Sequence, residues 1–189
     1  MSEAAQPALA DFKAQPFELL REMERRSRAA LVGSRLGSEA TDEWVGIGYQ
    51  LGGERFLIAR NEIREVMMMP DALTRVPGAK DWVAGLANLR GQILTVVDLR
   101  SFLAAGSSRS SRTARVLVVE SQDMPVGLIV DEVFGFRRFS DNEFCEQLPD
   151  TALRCERFLT GAYERGQDVW PVFSLSMLLD TPEFQKAAA

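Results

Sequence analysis

The sequence contains no histidine among its 189 residues. Histidine is the most common general base in enzymes and a frequent metal ligand. Its absence excludes Ser-His-Asp triads, zinc sites that use imidazole, and phosphorelay through a histidine of this chain.

Cysteines are few, and long apolar runs are missing. Cys145 and Cys155 fit neither a CxxC redox pair nor a four-ligand zinc site, so we predict two free, mostly buried thiols. No stretch approaches the roughly 18 apolar residues of a membrane-spanning helix. The first fifteen residues (about a signal peptide's length) lack the basic and apolar regions of a secretory signal. These features predict a cytoplasmic protein without direct membrane insertion.

Basic residues are outnumbered, because 22 Lys and Arg face 27 Asp and Glu for a formal net charge of -5. A surface of this average sign repels phosphate backbones, which argues against nucleic-acid binding. The Arg-rich segment GSSRSSRTAR at 106–115 has the composition of an exposed connector. With 46% hydrophobic residues, the chain can bury the core of one ordinary domain.

The segment PFELLREMERRSRAAL predicts an N-terminal amphipathic helix. It begins with a proline, and its apolar residues recur at spacings of three and four. Residues 1–15 before it have the composition of a loose tail, and LVGSRLGSEATDE after it has that of a linker. The helix either docks on the domain's own core or binds a partner.

Strand patterns begin at Trp44. The run WVGIGYQL, the pair Gly52-Gly53 and the run ERFLIA predict a β-hairpin that turns on the glycines. A nucleotide-binding GxGxxG loop is excluded there, because Leu51 stands where the third glycine is required. Further along, QILTVV predicts a strand and DLRSFL a helical turn capped by Asp98. Asp98 lacks the acidic neighbours that a Mg²⁺-dependent phosphoacceptor needs.

The two halves of the chain resemble each other. ERFLIARNEIREV aligns with MPVGLIVDEVFGF, and RGQILTVVDLRSFL aligns with RGQDVWPVFSLSMLL if Asp168 is an added residue. The pseudo-repeats cover about 44–105 and 115–180, and each is too small to bury much surface alone. We therefore expect two small β-barrels that share a core, in a chain that is mainly β with some α.

The string VPGAKDWVAGLANLRGQILTVVDLRSFL resembles the signature of CheW-like domains, the adaptors of bacterial chemotaxis. NEIREV and PVGLIVDEVFGF resemble two further blocks of that family, so the resemblance runs from about Trp44 to Leu179. The N-terminal helix segment, the W-x-GIGY entry and EQLP resemble the members that serve type IV pilus twitching motility.

The resemblance implies a CheW-like fold of two intertwined five-stranded β-barrel subdomains with short helices and an N-terminal helical extension. The CheW-like domain would occupy 44–180, between an N-terminal region at 1–43 and a C-terminal tail at 181–189. It also implies a non-catalytic adaptor, without a cofactor, that couples a methyl-accepting chemoreceptor to a CheA-like histidine kinase in membrane-associated arrays.

Two alternatives stay open at this point. The first is an adaptor of the same type in flagellar chemotaxis or another chemosensory array. The second, more remote, is a small carboxylate-based enzyme using a pair such as Asp131-Glu132. Adjacent residues on a strand point to opposite faces, which argues against that pair.

The family resemblance also implies contact residues. Arg90 of NLRG matches the family's contact arginine, and its planar fork suits specific contacts to carboxylates and carbonyls. The alternative is an internal salt bridge to Glu65 or Asp98. Ile63, Glu65 and Val66 match the block along the partner groove, although Ile63 and Val66 suit a core equally well.

Arg64 adds a second basic charge beside this groove, which we expect to tune receptor choice. Four further residues are predicted to support the motif: Gly85, Asn88, Gly91 and Asp98. The two glycines would provide a positive φ or a close strand approach.

Overall fold

The computed structural model describes residues 43–108, 112–119 and 125–186. The predicted N-terminal tail, amphipathic helix and most of the linker lie outside the described residues, as does the middle of the Arg-rich connector. The domain boundaries given above therefore stay predictions.

Within the described ranges the chain forms eleven strands. They are β1 Glu43–Leu51, β2 Glu54–Ala59, β3 Glu65–Met68, β4 Val83–Leu89, β5 Gln92–Asp98, β6 Arg115–Val119, β7 Val126–Val130, β8 Glu132–Ser140, β9 Phe144–Cys145, β10 Leu159–Arg165 and β11 Asp168–Phe173. Three short α-helices follow strands or end the fold: α1 Leu99–Phe102, α2 Leu175–Leu179 and α3 Pro182–Gln185. Short 3₁₀ turns cover Arg60–Glu62, Asp141–Glu143 and Glu156–Phe158. No helix of the described part is long and apolar enough to cross a membrane.

The strands form two sheets. The six-stranded sheet has the order β8-β1-β2-β11-β10-β9, and the five-stranded sheet has the order β3-β6-β7-β5-β4. Neighbouring strands are antiparallel except for two parallel pairs, β2 with β11 and β5 with β7. The predicted mainly β fold of two five-stranded units is confirmed, and β9 adds a two-residue edge strand to one of them.

Each sheet exchanges a hairpin with the other half of the sequence. The five-stranded sheet combines β3, β4 and β5 of the first repeat with the β6–β7 hairpin of the second. The six-stranded sheet combines the β1–β2 hairpin of the first repeat with β8 to β11 of the second. The two units are thus intertwined, and neither repeat completes a sheet from its own strands.

The hairpin predicted at Gly52-Gly53 is present, with Leu51 opposite Glu54 in the ladder. Gly52 has a φ of 62° and Gly53 a φ of 91°. A two-residue turn of type I′ needs positive φ at both central positions, which explains why glycines occupy them.

The repeat is real, but the alignment of the two RGQ strings is wrong by one residue. The same sequence offset relates the bulge glycines Gly85 and Gly161, both at sheet irregularities with positive φ. That offset places Gly166, not Arg165, at the position of Arg90. Asp168 is consequently no insertion, because it opens β11 as the partner of Arg165 across the hairpin.

Apolar residues form three clusters. One fills the interior of the five-stranded sheet and another the interior of the six-stranded sheet. The largest takes residues from both sheets, among them Tyr49, Phe56, Leu117 and Leu128. Along β6, Leu117 belongs to this shared cluster while its neighbours Val116 and Val118 point into their own sheet, as the two-residue period of a strand requires.

The two cysteines are free thiols, as predicted. Cys155 is buried and Cys145 is half-buried. Burial raises the pKa of the Cys155 thiol to about 11, against a weaker opposing effect of its contact with Thr151.

Candidate partner-binding surface

The β4–β5 hairpin turn presents Arg90 to solvent. Arg90 has a φ of 50° and Gly91 a φ of 87°, so both central positions are left-handed. The side chain of Asn88 fixes this turn, since its Oδ1 accepts a hydrogen bond of 2.8 Å from the Gly91 N–H. A left-handed backbone costs a non-glycine residue about 1–2 kcal/mol, so Arg90 occupies a strained position.

Gly85 supports the same hairpin from its other end. Its φ is 143°, and a Cβ at this position would lie 2.6 Å from the carbonyl oxygen of Thr74. The adjacent loop residue Thr74 pairs with Leu86 of β4 through two backbone hydrogen bonds. Gly85 and Gly91 both have positive φ angles, a conformation that glycine adopts without a Cβ clash.

Arg90 forms a salt bridge with Glu65 of β3. Its Nη2 lies 2.8 Å from Oε2 of Glu65, and the side chains are 76% and 22% exposed respectively. This contact links the turn after β4, one edge strand of the five-stranded sheet, to β3, the other edge strand. Asp98, the other partner considered, is buried and caps α1 by accepting a hydrogen bond from the Ser101 N–H.

The salt bridge leaves most of the Arg90 guanidinium unused. Among the described residues only its Nη2 makes a protein hydrogen bond. Arg165 shows the contrasting case, because its Nε and Nη2 both bind Glu143 and Nη2 also donates to the carbonyl oxygen of Arg138. Arg165 is therefore committed to holding its own sheet together, while Arg90 keeps exposed donors for a further acceptor.

The strand β3 next to Arg90 lies at the edge of its sheet. Val66 is 39% exposed and Met68 is 72% exposed, on the strand face opposite to Glu65. The residue before the strand, Arg64, is exposed and donates its N–H to the carbonyl of Val118. An edge strand that carries exposed apolar and charged side chains suits a modest, reversible protein contact.

Ile63 differs from the other predicted contact residues. It is 3% exposed and belongs to the cluster shared by the two sheets, so the structure supports its packing role. It also helps to line a surface cavity of about 250 Å³. The lining residues of this cavity are Asn61, Glu62, Ile63, Arg64, Leu175, Ser176 and Leu179.

Glu62 connects two of the segments that line this cavity. Its two carboxylate oxygens accept hydrogen bonds from the backbone N–H groups of Ser176, at 3.0 Å, and Leu175, at 3.3 Å. The start of α2 is thereby tied to the segment that precedes β3. Met177 of the same helix is 42% exposed.

Sequence reasoning missed Glu62 and the α2 residues. No local pattern indicates that the start of α2 lies against the segment before β3, since the two are more than a hundred positions apart in the chain. Of the predicted residues, the structure pairs Arg90 with Glu65. Arg64 and Val66 lie beside Glu65 in the chain, with their side chains directed to the other face of β3.

Known proteins match the part of the chain that forms the two sheets. The sequence profile described as CheW-like domain matches residues 46–183. Protein PilI of Pseudomonas aeruginosa is 42% identical over 159 residues, which cover 84% of this chain and 88% of PilI. Chemotaxis protein CheW of Helicobacter pylori is 28% identical over 133 residues, covering 70% of this chain and 78% of that protein.

A solved structure shares the fold. The crystal structure of scaffolding protein TtCheW from Thermoanaerobacter tengcongensis superposes with a TM-score of 0.63 at 24% identity. The superposition covers 74% of this chain and 94% of that one.

Proposed function

Since the chain belongs to the CheW-like domain family, we propose that it couples a methyl-accepting chemoreceptor to a CheA-like histidine kinase in a pathway controlling type IV pilus twitching motility. It acts as a non-catalytic adaptor, recruited from the cytoplasm to membrane-associated receptor arrays. Support for the pilus pathway comes from the 42% identity to PilI and from the resemblance of W-x-GIGY and EQLP to members of that branch.

The observation that carries the adaptor role is the strained, exposed position of Arg90. A glycine would adopt this left-handed turn without the steric cost, and Gly166 does so at the corresponding position of the β10–β11 hairpin. The single surface salt bridge to Glu65 is worth about 0–1 kcal/mol and does not exceed that cost. An arginine at this position is therefore better explained by a contact outside the chain.

The neighbouring side chains supply the rest of such a contact. Val66 and Met68 offer exposed apolar surface on the face of β3 opposite to Glu65, and the outer edge of β3 can pair with a further strand. An interface of this kind combines an arginine anchor with a small apolar centre, the arrangement in which a few residues carry most of the binding energy.

Affinity capture tests the proposal. The full chain, tagged and expressed in the bacterium that encodes it, should retain one CheA-like kinase and one chemoreceptor, while the Arg90→Ala chain should retain less of at least one. Deletion of the gene should abolish twitching and leave swimming chemotaxis intact. Loss of swimming chemotaxis alone would contradict the pilus pathway and favour a flagellar array.

A second experiment tests the absence of catalysis. The chain incubated with labelled ATP and its phosphorylated kinase should acquire no label, because it has no histidine and because Asp98, the aspartate considered as an acceptor, is buried and caps α1. Stoichiometric label on the chain would overturn the adaptor role.

A further inference from the structure

The interior of the six-stranded sheet opens into a charged mouth. Trp170 and Phe139 belong to the apolar cluster inside this sheet. Two positions away on the same strands, and so on the same inner face, stand Asp168 and Arg137. The mouth is a cavity of about 310 Å³. Its lining residues are Arg55, Phe134, Arg137, Phe139, Arg165, Asp168 and Trp170.

The charges in this mouth do not balance. Arg55 pairs with Asp168 at 3.0 Å, and Arg165 pairs with Glu143 at 2.6 Å. Arg137 has no carboxylate partner among the described residues, and its guanidinium lies 5.7 Å from the ring centre of Trp170. Three arginines thus face two carboxylates, which leaves one uncompensated positive charge.

The fold itself does not require these charges. In the five-stranded sheet, the repeat places Leu89 at the position of Arg165 and Leu94 at the position of Trp170, and both leucines are buried. At these two positions the same architecture therefore holds aliphatic side chains. The charged mouth is a property of one sheet and not of the repeat.

Protection of a sheet edge does not explain the mouth either. An inward-pointing charge on an edge strand discourages aggregation, and this would account for Arg137 on β8. Arg55, however, stands on β2, which is hydrogen-bonded to β1 on one side and to β11 on the other. An arginine on an inner strand has no edge to protect.

We propose that this mouth binds one carboxylate side chain from an acidic segment of a partner protein. Arg137 is the main contact, and its guanidinium is held over the buried ring of Trp170 at the base of the mouth. Asp168 shows that a carboxylate fits at the rim, because its own carboxylate already pairs with Arg55. It acts as an internal competitor for the incoming group.

A carboxylate is favoured over a phosphate by the charge count, since a single negative charge neutralises the mouth whereas a dianion reverses its sign.

A protein segment is favoured over a free acid by the surroundings. The mouth is bordered by β8, an edge strand whose outer backbone can bind an extended chain. This second surface lies on the other sheet from Arg90, so its existence does not depend on the proposed function.

Nuclear magnetic resonance of the uniformly ¹⁵N-labelled full chain tests the proposal. The probe is the peptide acetyl-Gly-Glu-Phe-Glu-Gly-amide, with the peptide carrying Gln in place of both Glu as the matched probe. The acidic peptide should shift the indole N–H signal of Trp170 saturably. The Gln peptide should bind at least about tenfold more weakly, as expected when a charged hydrogen bond is lost.

Variants locate the contact. Arg137→Gln should weaken binding of the acidic peptide about tenfold or more. The affinity of Arg137→Lys, which keeps the charge without the planar fork, should lie between those of Arg137→Gln and the unchanged protein. Asp168→Asn should strengthen binding several-fold by removing the competitor. The matched control is Arg138→Gln, because Arg138 is exposed on the same strand but on its opposite face. The control should bind like the unchanged protein.

Several results would overturn the inference. Similar affinity for the Glu and Gln peptides would show that the mouth does not recognise a carboxylate. Similar losses of affinity in the Arg137 and Arg138 variants would show that the attraction is unspecific. Weaker or unchanged binding by Asp168→Asn would contradict the competitor role. Sodium acetate producing the same shifts at the same concentration would show that no protein segment is needed.

Discussion

Replacing Arg90 by alanine separates its possible roles most sharply. The change removes the guanidinium, and with it the salt bridge to Glu65, but keeps a Cβ and therefore the strain of the left-handed turn. The unfolding free energy should fall by about 0–1 kcal/mol, the usual contribution of an exposed ion pair. If the unused donors of Arg90 bind a partner, its affinity should fall by about 1.5–3 kcal/mol.

Glycine at the same position isolates the backbone contribution. Arg90→Gly loses the same side chain but relieves the left-handed strain, so it should be more stable than Arg90→Ala by about 1 kcal/mol, with the greater chain entropy of glycine offsetting part of the gain. The two variants should bind partners equally weakly, because neither carries a guanidinium. If Arg90→Gly is more stable than Arg90→Ala and has also lost partner binding, Arg90 is a residue kept for function at the expense of stability.

Isothermal titration calorimetry against kinase and receptor fragments measures the affinities, and thermal melts measure the stabilities. Arg138→Ala is the matched control, since that side chain is 74% exposed and pairs with Glu43 on the other sheet. Unchanged affinity of a folded Arg90→Ala protein for both partners would refute the reasoning. The contact would then be sought at Val66 and Met68.

Three further outcomes are expected. In thiol titrations of the native protein with Ellman's reagent at neutral pH, Cys145 should react. Cys155 should react only on unfolding, because burial raises its pKa to about 11. Rapid reaction of both thiols would contradict this. The hydrogen bond from Arg165 holds the pKa of Glu143 at about 2 against an ordinary value of 4.5. The stabilisation by this pair is therefore complete above pH 4.5 and is lost as the pH falls towards 2. The melting temperature of the native protein should accordingly approach that of Glu143→Gln in acid. A difference in melting temperature that stays constant with pH would show that the pair is unimportant. Removal of residues 1–42 should leave a folded domain that melts cooperatively, since both sheets are built from later residues; an unfolded product would assign the N-terminal helix to the core.

Local features of the fold could be predicted from the sequence. The Gly52-Gly53 turn and the Asp98 cap each depend on a few consecutive residues whose backbone preferences are strong. The family resemblance likewise follows from contiguous blocks, and it led to Arg90 and Glu65, which the structure joins in a salt bridge. The free thiols followed from the spacing of the two cysteines.

Other features could not be read from neighbouring residues. The matching letters RGQ suggested an equivalence of Arg90 and Arg165 that strand register does not allow, because turn geometry and not letter identity fixes the hairpin. Ile63 matched the family's contact block but is buried, since its exposure depends on what packs over it. The tie between Glu62 and the start of α2 joins distant parts of the chain and leaves no local signal.

The sequence by itself determined which segments become strands, where the chain turns, and to which family it belongs, because periodicity and turn residues act over short distances. Only the tertiary structure decided that each repeat lends its hairpin to the opposite sheet. The same holds for the salt bridge that leaves Arg90 largely unengaged and for the three arginines gathered at one mouth. These depend on strand pairing between remote residues, where packing of whole sheets, and not the preference of any one segment, sets the partners.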